Sequence, residues 1–150
     1  MAFQRDLDHL YRDAQEKETI TIGVFDLNDL KEINDPYGHK YGDSAIINAY
    51  DTLKEVFSDH GTCYRIGGDE FACFLELKNN ETIKELKERV NKRVKEKKEG
   101  LSYPFVIAQG YSILPVDEIM SVDQIIHRAD QDMYKDKELK KKFVIKRKDL

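Results

Sequence analysis

Thr62-Cys-Tyr-Arg-Ile-Gly-Gly-Asp-Glu-Phe-Ala-Cys-Phe-Leu75 is the stretch that decides the fold. Two runs rich in β-branched and aromatic residues flank adjacent glycines, which predicts strands over 62–66 and 70–77 joined at Gly67-Gly68. Paired glycines suit the positive φ that tight hairpin turns demand. Upstream, the apolar seam Ala45, Ile46, Ala49, Leu53, Val56 and Phe57 predicts a helix from Asp43 to near His60-Gly61. Before it come a β-branched strand over 19–27, one or two helical turns over 29–34 stopped ahead of Pro36, and a loop at 37–39. A first helix is expected over 3–16. Downstream, Ile83, Leu86, Val90 and Val94 mark a charged helix over 81–98, with Gly100 as its C-terminal cap. A strand over 105–114, a helix from Val122 to about Lys137 and a short strand at 143–145 complete the order α-β-α-β-β-α-β-α-β. Helices alternating with strands and one hairpin imply an α/β (α+β) sandwich of the ferredoxin-like type, a mixed central sheet flanked by helices.

With 150 residues and three prolines, the chain reads as one domain, able to bury roughly two-thirds of its unfolded surface. Its longest apolar runs, such as residues 71–75, are far too short to cross a bilayer. The opening residues are interrupted by Arg5, Asp6 and Asp8, so no signal peptide is expected there. A cytoplasmic domain without membrane contact is therefore expected. The net charge of −4 disfavours a nucleic-acid binder. That average hides an asymmetry: residues 135–148 hold eight basic residues against Asp136 and Glu138, a local +6 that leaves −10 elsewhere. Cys63 and Cys73 are expected as buried free thiols, and the sequence does not settle whether they face each other.

Four features bear chemistry, each with a plain alternative. Asp26 ends an apolar strand, where a carboxylate can hold a metal or simply cap a turn. Asp69 and Glu70 follow Gly67 and Gly68, which let a ligand approach the backbone closely or merely form a solvated turn. If Asp69 faces Asp26 across neighbouring strands, the two make a hard-oxygen site suited to Mg²⁺. Asn34 and Asp43 could read a guanine edge, the carboxylate accepting from N–H groups while the amide donates; Asp43 could equally be the N-cap of its helix. The lysines after residue 134 could face phosphates or solvent.

Taken together these features resemble the GGDEF-domain diguanylate cyclases. Arg65-Ile-Gly-Gly-Asp-Glu-Phe71 matches the signature, and residues 25–43, from Phe25-Asp-Leu-Asn to Tyr41-Gly-Asp43, match the family's second block at the same spacing. Arg128-Ala-Asp-Gln-Asp-Met-Tyr134 followed by Lys137 is similar to its C-terminal helix. The resemblance implies a cyclase that joins two GTP into cyclic di-GMP and releases two pyrophosphates where two subunits of a homodimer meet. It implies Mg²⁺, with Mn²⁺ as the alternative ion, on Asp26, the Leu27 carbonyl and Asp69. Glu70 would stand beside the ribose 3′-hydroxyl as ligand or proton acceptor. Asn34 and Asp43 would select guanine, and Lys137 and Lys141 would grip the β- and γ-phosphates.

The match departs at several positions. Asn28 replaces a common second Asp, and Lys141 replaces an Arg, giving up bidentate geometry while keeping charge. Ser58-Asp-His-Gly61 stands where the family's product-inhibition Arg-x-x-Asp would be, so feedback at that site is not expected. The family's opening block is missing, which implies an excised piece of a longer protein with an upstream sensory region. The departures leave a catalytically inactive nucleotide-binding signalling module as the alternative reading.

Overall fold

A computed structural model describes residues 19–27, 39–77, 80–115 and 121–148, with 19–20, 39–40, 114–115, 122 and 141–148 described by backbone alone. The helix expected over 3–16, the turns over 29–34 with Asn28 and Asn34, and the side chain of Lys141 lie outside the described residues. The order found is β1 (Thr19–Leu27), α1 (His39–Phe57), β2 (Gly61–Arg65), β3 (Glu70–Leu75), α2 (Ile83–Lys98), β4 (Ile107–Pro115) and α3 (Val122–Lys148).

The strands form one α+β sheet in the order β2-β3-β1-β4. Every pairing among them is antiparallel, which corrects the expected mixed sheet. The reason is topological. Strands β1 and β2 run the same way, but the hairpin returns β3 between them. Likewise β3 and β4 run the same way, and β1 separates them. No two parallel strands are left as neighbours.

Side chains alternate across β1. Phe25 and Leu27 face α1 and α2, in a core with Phe71, Leu75 and Ile107 from the sheet, Ala45, Ala49, Leu53 and Phe57 from α1, and Leu86 and Val90 from α2. Phe25 meets Phe57 at 5.5 Å and Tyr111 edge-on at 5.7 Å, and burying such a ring contributes about 1.5–3 kcal/mol. Ile22 and Val24 point the other way, with Ala72 and Phe74, beneath Ile125 and Ala129 of α3. The sheet is thus covered on both faces.

Three local expectations change. Helix α1 begins at His39 rather than Asp43, so Asp43 is not its N-cap and lies exposed inside the helix. Tyr103 explains the early start: its hydroxyl bonds Ser44 Oγ at 3.0 Å and accepts from Asn48 Nδ2 at 2.9 Å, and its ring meets Tyr41. Such packing outweighs the roughly 1 kcal/mol cost of Gly42 within a helix. Helix α2 is capped by Thr82, whose hydroxyl accepts from Glu85 N at 3.2 Å. It closes through i→i+3 bonds from Gly100 N to Lys97 O and Leu101 N to Lys98 O, not through a left-handed glycine at 100.

Finally, residues 143–145 continue α3 instead of forming a strand. Neither Gly nor Pro occurs after Pro115, and propagating a helix adds a backbone bond per residue. The outer edge of β4, one place where a further strand would join, is also taken by α3. Asp136 Oδ2 accepts from Gln109 N at 2.9 Å, Asp132 Oδ2 accepts from Tyr111 N at 3.0 Å, and Lys140 Nζ donates to Ile107 O at 2.6 Å. Among the described residues no helix is long and apolar enough to cross a membrane.

Candidate active site

The period of two along β1 puts Asp26 on the same face as Ile22 and Val24, toward α3. In the β1–β3 register Asp26 pairs with Glu70, and Leu27 N donates to Asp69 O at 3.0 Å. The end of β1 therefore locks onto the hairpin tip and sets Asp69 and Glu70 beside Asp26. From the other layer, α3 delivers Lys137, whose Nζ donates to Asp26 Oδ2 at 2.9 Å.

Asp26 carries the electrostatics of this cluster. Only 10% of its side chain is exposed. Its carboxyl is pushed up to about 6, first by burial and then by the charge of Asp69, with Lys137 pulling the other way. Among the described residues its second oxygen, Oδ1, is buried without a hydrogen-bond partner. Glu70 is also raised, by partial burial and then by Asp130 and Asp69, with Lys137 opposing. Asp130, one turn before Tyr134 on α3, is raised chiefly by burial.

The tip itself is shaped by Arg65. Its Nε donates to Gly67 O at 3.1 Å and its Nη2 to Gly68 O at 2.8 Å. Ile66 N and Gly67 N both reach Glu70 O, at 2.9 and 3.3 Å. Neither glycine takes the left-handed backbone expected of them. Their value lies in openness instead: a Cβ on Gly68 would meet nothing within 4 Å. Arg65→Ala removes both bonds to the turn. Amide exchange at residues 67–69 should rise severalfold while that of Cys73, mid-strand in β3, stays unchanged, with a stability loss of about 1 kcal/mol. Unchanged exchange at the tip would show that the backbone bonds alone hold it.

A family model described as the diguanylate cyclase GGDEF domain matches residues 1–142. This chain belongs to that family. Diguanylate cyclase A of Treponema denticola is 31% identical to it over 138 residues, covering 88% of this chain and 37% of that protein. Diguanylate cyclase DgcP of Escherichia coli is 32% identical over 128 residues, covering 82% of this chain and 37% of that protein. The GGDEF domain described above thus spans less than two-fifths of these curated relatives. Among solved structures, the active GGEEF domain of a diguanylate cyclase from Vibrio cholerae superposes with a TM-score of 0.70 at 28% identity, over 88% of this chain and 85% of that one. The GGDEF domain of PA1120 from Pseudomonas aeruginosa gives 0.78 at 25% identity, over 91% and 82%.

Of the residues singled out from sequence, this GGDEF domain brings together Asp26, Asp69, Glu70 and Lys137. Asp43 stands apart on α1, which packs on the opposite face of the sheet. Arg65 and Asp130 were not among the expected site residues. Arg65 belongs to the signature, but its turn-bracing role depends on hairpin geometry. Asp130 announces itself only by the charge it places near Glu70.

Among the described residues no three His, Cys, Asp or Glu side chains converge on one point. Two carboxylates are nonetheless what Mg²⁺ needs when substrate phosphates complete its shell. The orphaned, buried Oδ1 of Asp26 is the observation that fits such an ion, since a buried carboxylate oxygen without a partner is costly.

Proposed function

We propose that this GGDEF domain is a diguanylate cyclase, condensing two GTP into cyclic di-GMP with release of two pyrophosphates at a homodimer interface. The observation that carries the proposal is the unpartnered Oδ1 of Asp26, on a carboxylate set beside Asp69 and bonded through Oδ2 to Lys137. Mg²⁺, or Mn²⁺ in its place, would be held by Asp26, Asp69 and the Leu27 carbonyl. When bound it would stabilise the entering and leaving oxygens of an in-line displacement at the α-phosphate.

The chain's own residues have separable roles. Lys137 neutralises Asp26 in the metal-free protein and supplies positive charge for the departing pyrophosphate in the loaded one. Lys141, one turn further along α3, joins it at the β- and γ-phosphates. Gly67 and Gly68 leave the tip open to nucleotide. Glu70 stands ready for the ribose 3′-hydroxyl, and its carboxyl, raised by partial burial and by Asp130 and Asp69, binds a proton more readily than an ordinary glutamate does. Asn34 and Asp43 recognise guanine. The carrying of one GTP per subunit makes a dimer necessary for the reaction, and a sensory region elsewhere in a longer protein would control it.

The deciding experiment is incubation with GTP and Mg²⁺ over a range of protein concentrations, with chromatography of the products. Cyclic di-GMP should appear at a specific rate that rises with protein concentration. GTP binding by calorimetry without any cyclic product, even at high protein concentration, would replace this reading with that of a nucleotide-binding signalling module.

A further inference from the structure

The two cysteines of the chain lie opposite each other, Cys63 on β2 and Cys73 on β3. Backbone bonds at both ends of this ladder give its phase: Ile66 N donates to Glu70 O, and Glu76 N donates to His60 O. Counting by twos from either end makes 62/74 and 64/72 the hydrogen-bonded pairs. Cys63/Cys73 is therefore a non-hydrogen-bonded pair, the antiparallel position with opposing Cα atoms about 4.5 Å apart and side chains closest. That spacing lies at the near end of the range, roughly 4.4–6.8 Å, that a disulfide spans. The Sγ atoms are 2.7 Å apart, and both are free thiols.

The pair is asymmetric. Cys73 is fully buried, and burial pushes its thiol well above the ordinary range, with Cys63 adding to the effect. Cys63 is partly exposed and lines a cleft of about 420 Å³ between α1 and β2, together with Ile46, Ile47, Tyr50, Tyr64 and Arg65. A small molecule can enter there and touch Cys63 without reaching Cys73.

We propose that Cys63 and Cys73 form a dithiol modification site that a small disulfide closes into a cross-strand disulfide. The Cys63 thiolate, its proton released to solvent, attacks one sulfur of the oxidant RSSR and expels the first RS⁻. Cys73 then gives up its proton and attacks the Cys63 sulfur of the mixed disulfide, expelling the second RS⁻. Both leaving thiolates take up protons, so the chain loses two hydrogens and RSSR becomes two RSH. The new bond ties the strands that carry the Gly67–Glu70 tip and is reversed by excess dithiol. This site is independent of the cyclase assignment.

The test is treatment of the folded 150-residue protein with oxidised glutathione near pH 8, quenching in acid, and mass spectrometry after denaturation and alkylation. Both thiols should be lost together, with the mass lower by two hydrogens, no glutathione retained and no covalent dimer; dithiothreitol should restore both. Cys73→Ser should instead accumulate glutathione on Cys63, and Cys63→Ser should stay unmodified while folded. A wild-type protein that keeps glutathione on Cys63, forms an intermolecular disulfide, or retains both thiols would overturn the proposal.

Discussion

Asp26→Asn is expected to abolish cyclic di-GMP formation while making the metal-free protein more stable at pH 7. Asparagine keeps the size of the side chain and an oxygen for Lys137 Nζ, but it removes the charge that would hold the metal. Metal stabilisation of developing charge is worth several kcal/mol, so turnover should fall roughly a thousandfold or more. The stability gain follows from the carboxyl itself. It ionises near 3.8 ordinarily and at about 6 in the folded chain, chiefly because it is buried. The folded protein thus holds this proton more tightly than the unfolded one. Its contribution to stability is present below pH 4 and is lost as the pH rises to 6 and beyond. At pH 7 the ionised group opposes folding by an amount on the order of 2–3 kcal/mol. Urea titrations across pH 4–7 without metal should show the wild type losing stability as pH rises, with a flatter profile for Asp26→Asn. Substantial turnover by the variant would exclude Asp26 as a metal ligand; a stability profile parallel to wild type would show that its burial is compensated.

The second large effect is expected at Gly110, where α3 crosses β4. A Cβ there would lie 2.2 Å from both Ala129 O and Met133 N, which are backbone atoms that no rotamer change can move aside. Gly110→Ala must therefore lift α3 from the sheet. Overpacking of this kind costs about 1–3 kcal/mol and occasionally more, a fall in Tm of several degrees at this chain length. Displacing α3 also shifts the Asp132, Asp136 and Lys140 contacts with the edge of β4, and moves Lys137 away from Asp26. Catalytic rate should consequently drop even at temperatures where the variant stays folded. Gly68→Ala provides the contrast, because its added methyl meets no atom and should leave thermal stability unchanged. Equal melting temperatures for wild type and Gly110→Ala would show that α3 packs more loosely than these distances imply.

Much of the fold was legible because its signals are local. The Gly67-Gly68 break between apolar runs, the seam Ala45–Ala49–Leu53–Phe57 and the stripe Leu86–Val90 each depend on a few neighbouring residues and their period. The errors arose where a local signal met a distant partner. Asp43 has the chemistry of an N-cap, yet Tyr103, some sixty residues on, extends α1 ahead of it. Phe143-Val-Ile145 has strand composition, but it follows an unbroken helix and the edge of β4 is already covered.

The candidate site divides along the same line. Asp26, Asp69, Glu70 and Lys137 were identifiable by residue type and order. Their convergence is another matter: it requires that β3 insert beside β1, that alternation turn Asp26 toward α3, and that Gly110 let α3 cross closely enough for Lys137 to arrive. Nor does sequence spacing reveal that Cys63 and Cys73 occupy a non-hydrogen-bonded pair, since one residue of slip would turn one of them to the other face. By itself the sequence determined the kinds of element, their order and the chemical groups available, because propensity, periodicity and side-chain chemistry are carried by short stretches of chain. Only the tertiary structure decided strand neighbours, register and which charges are buried together, because those follow from packing between residues up to 111 positions apart.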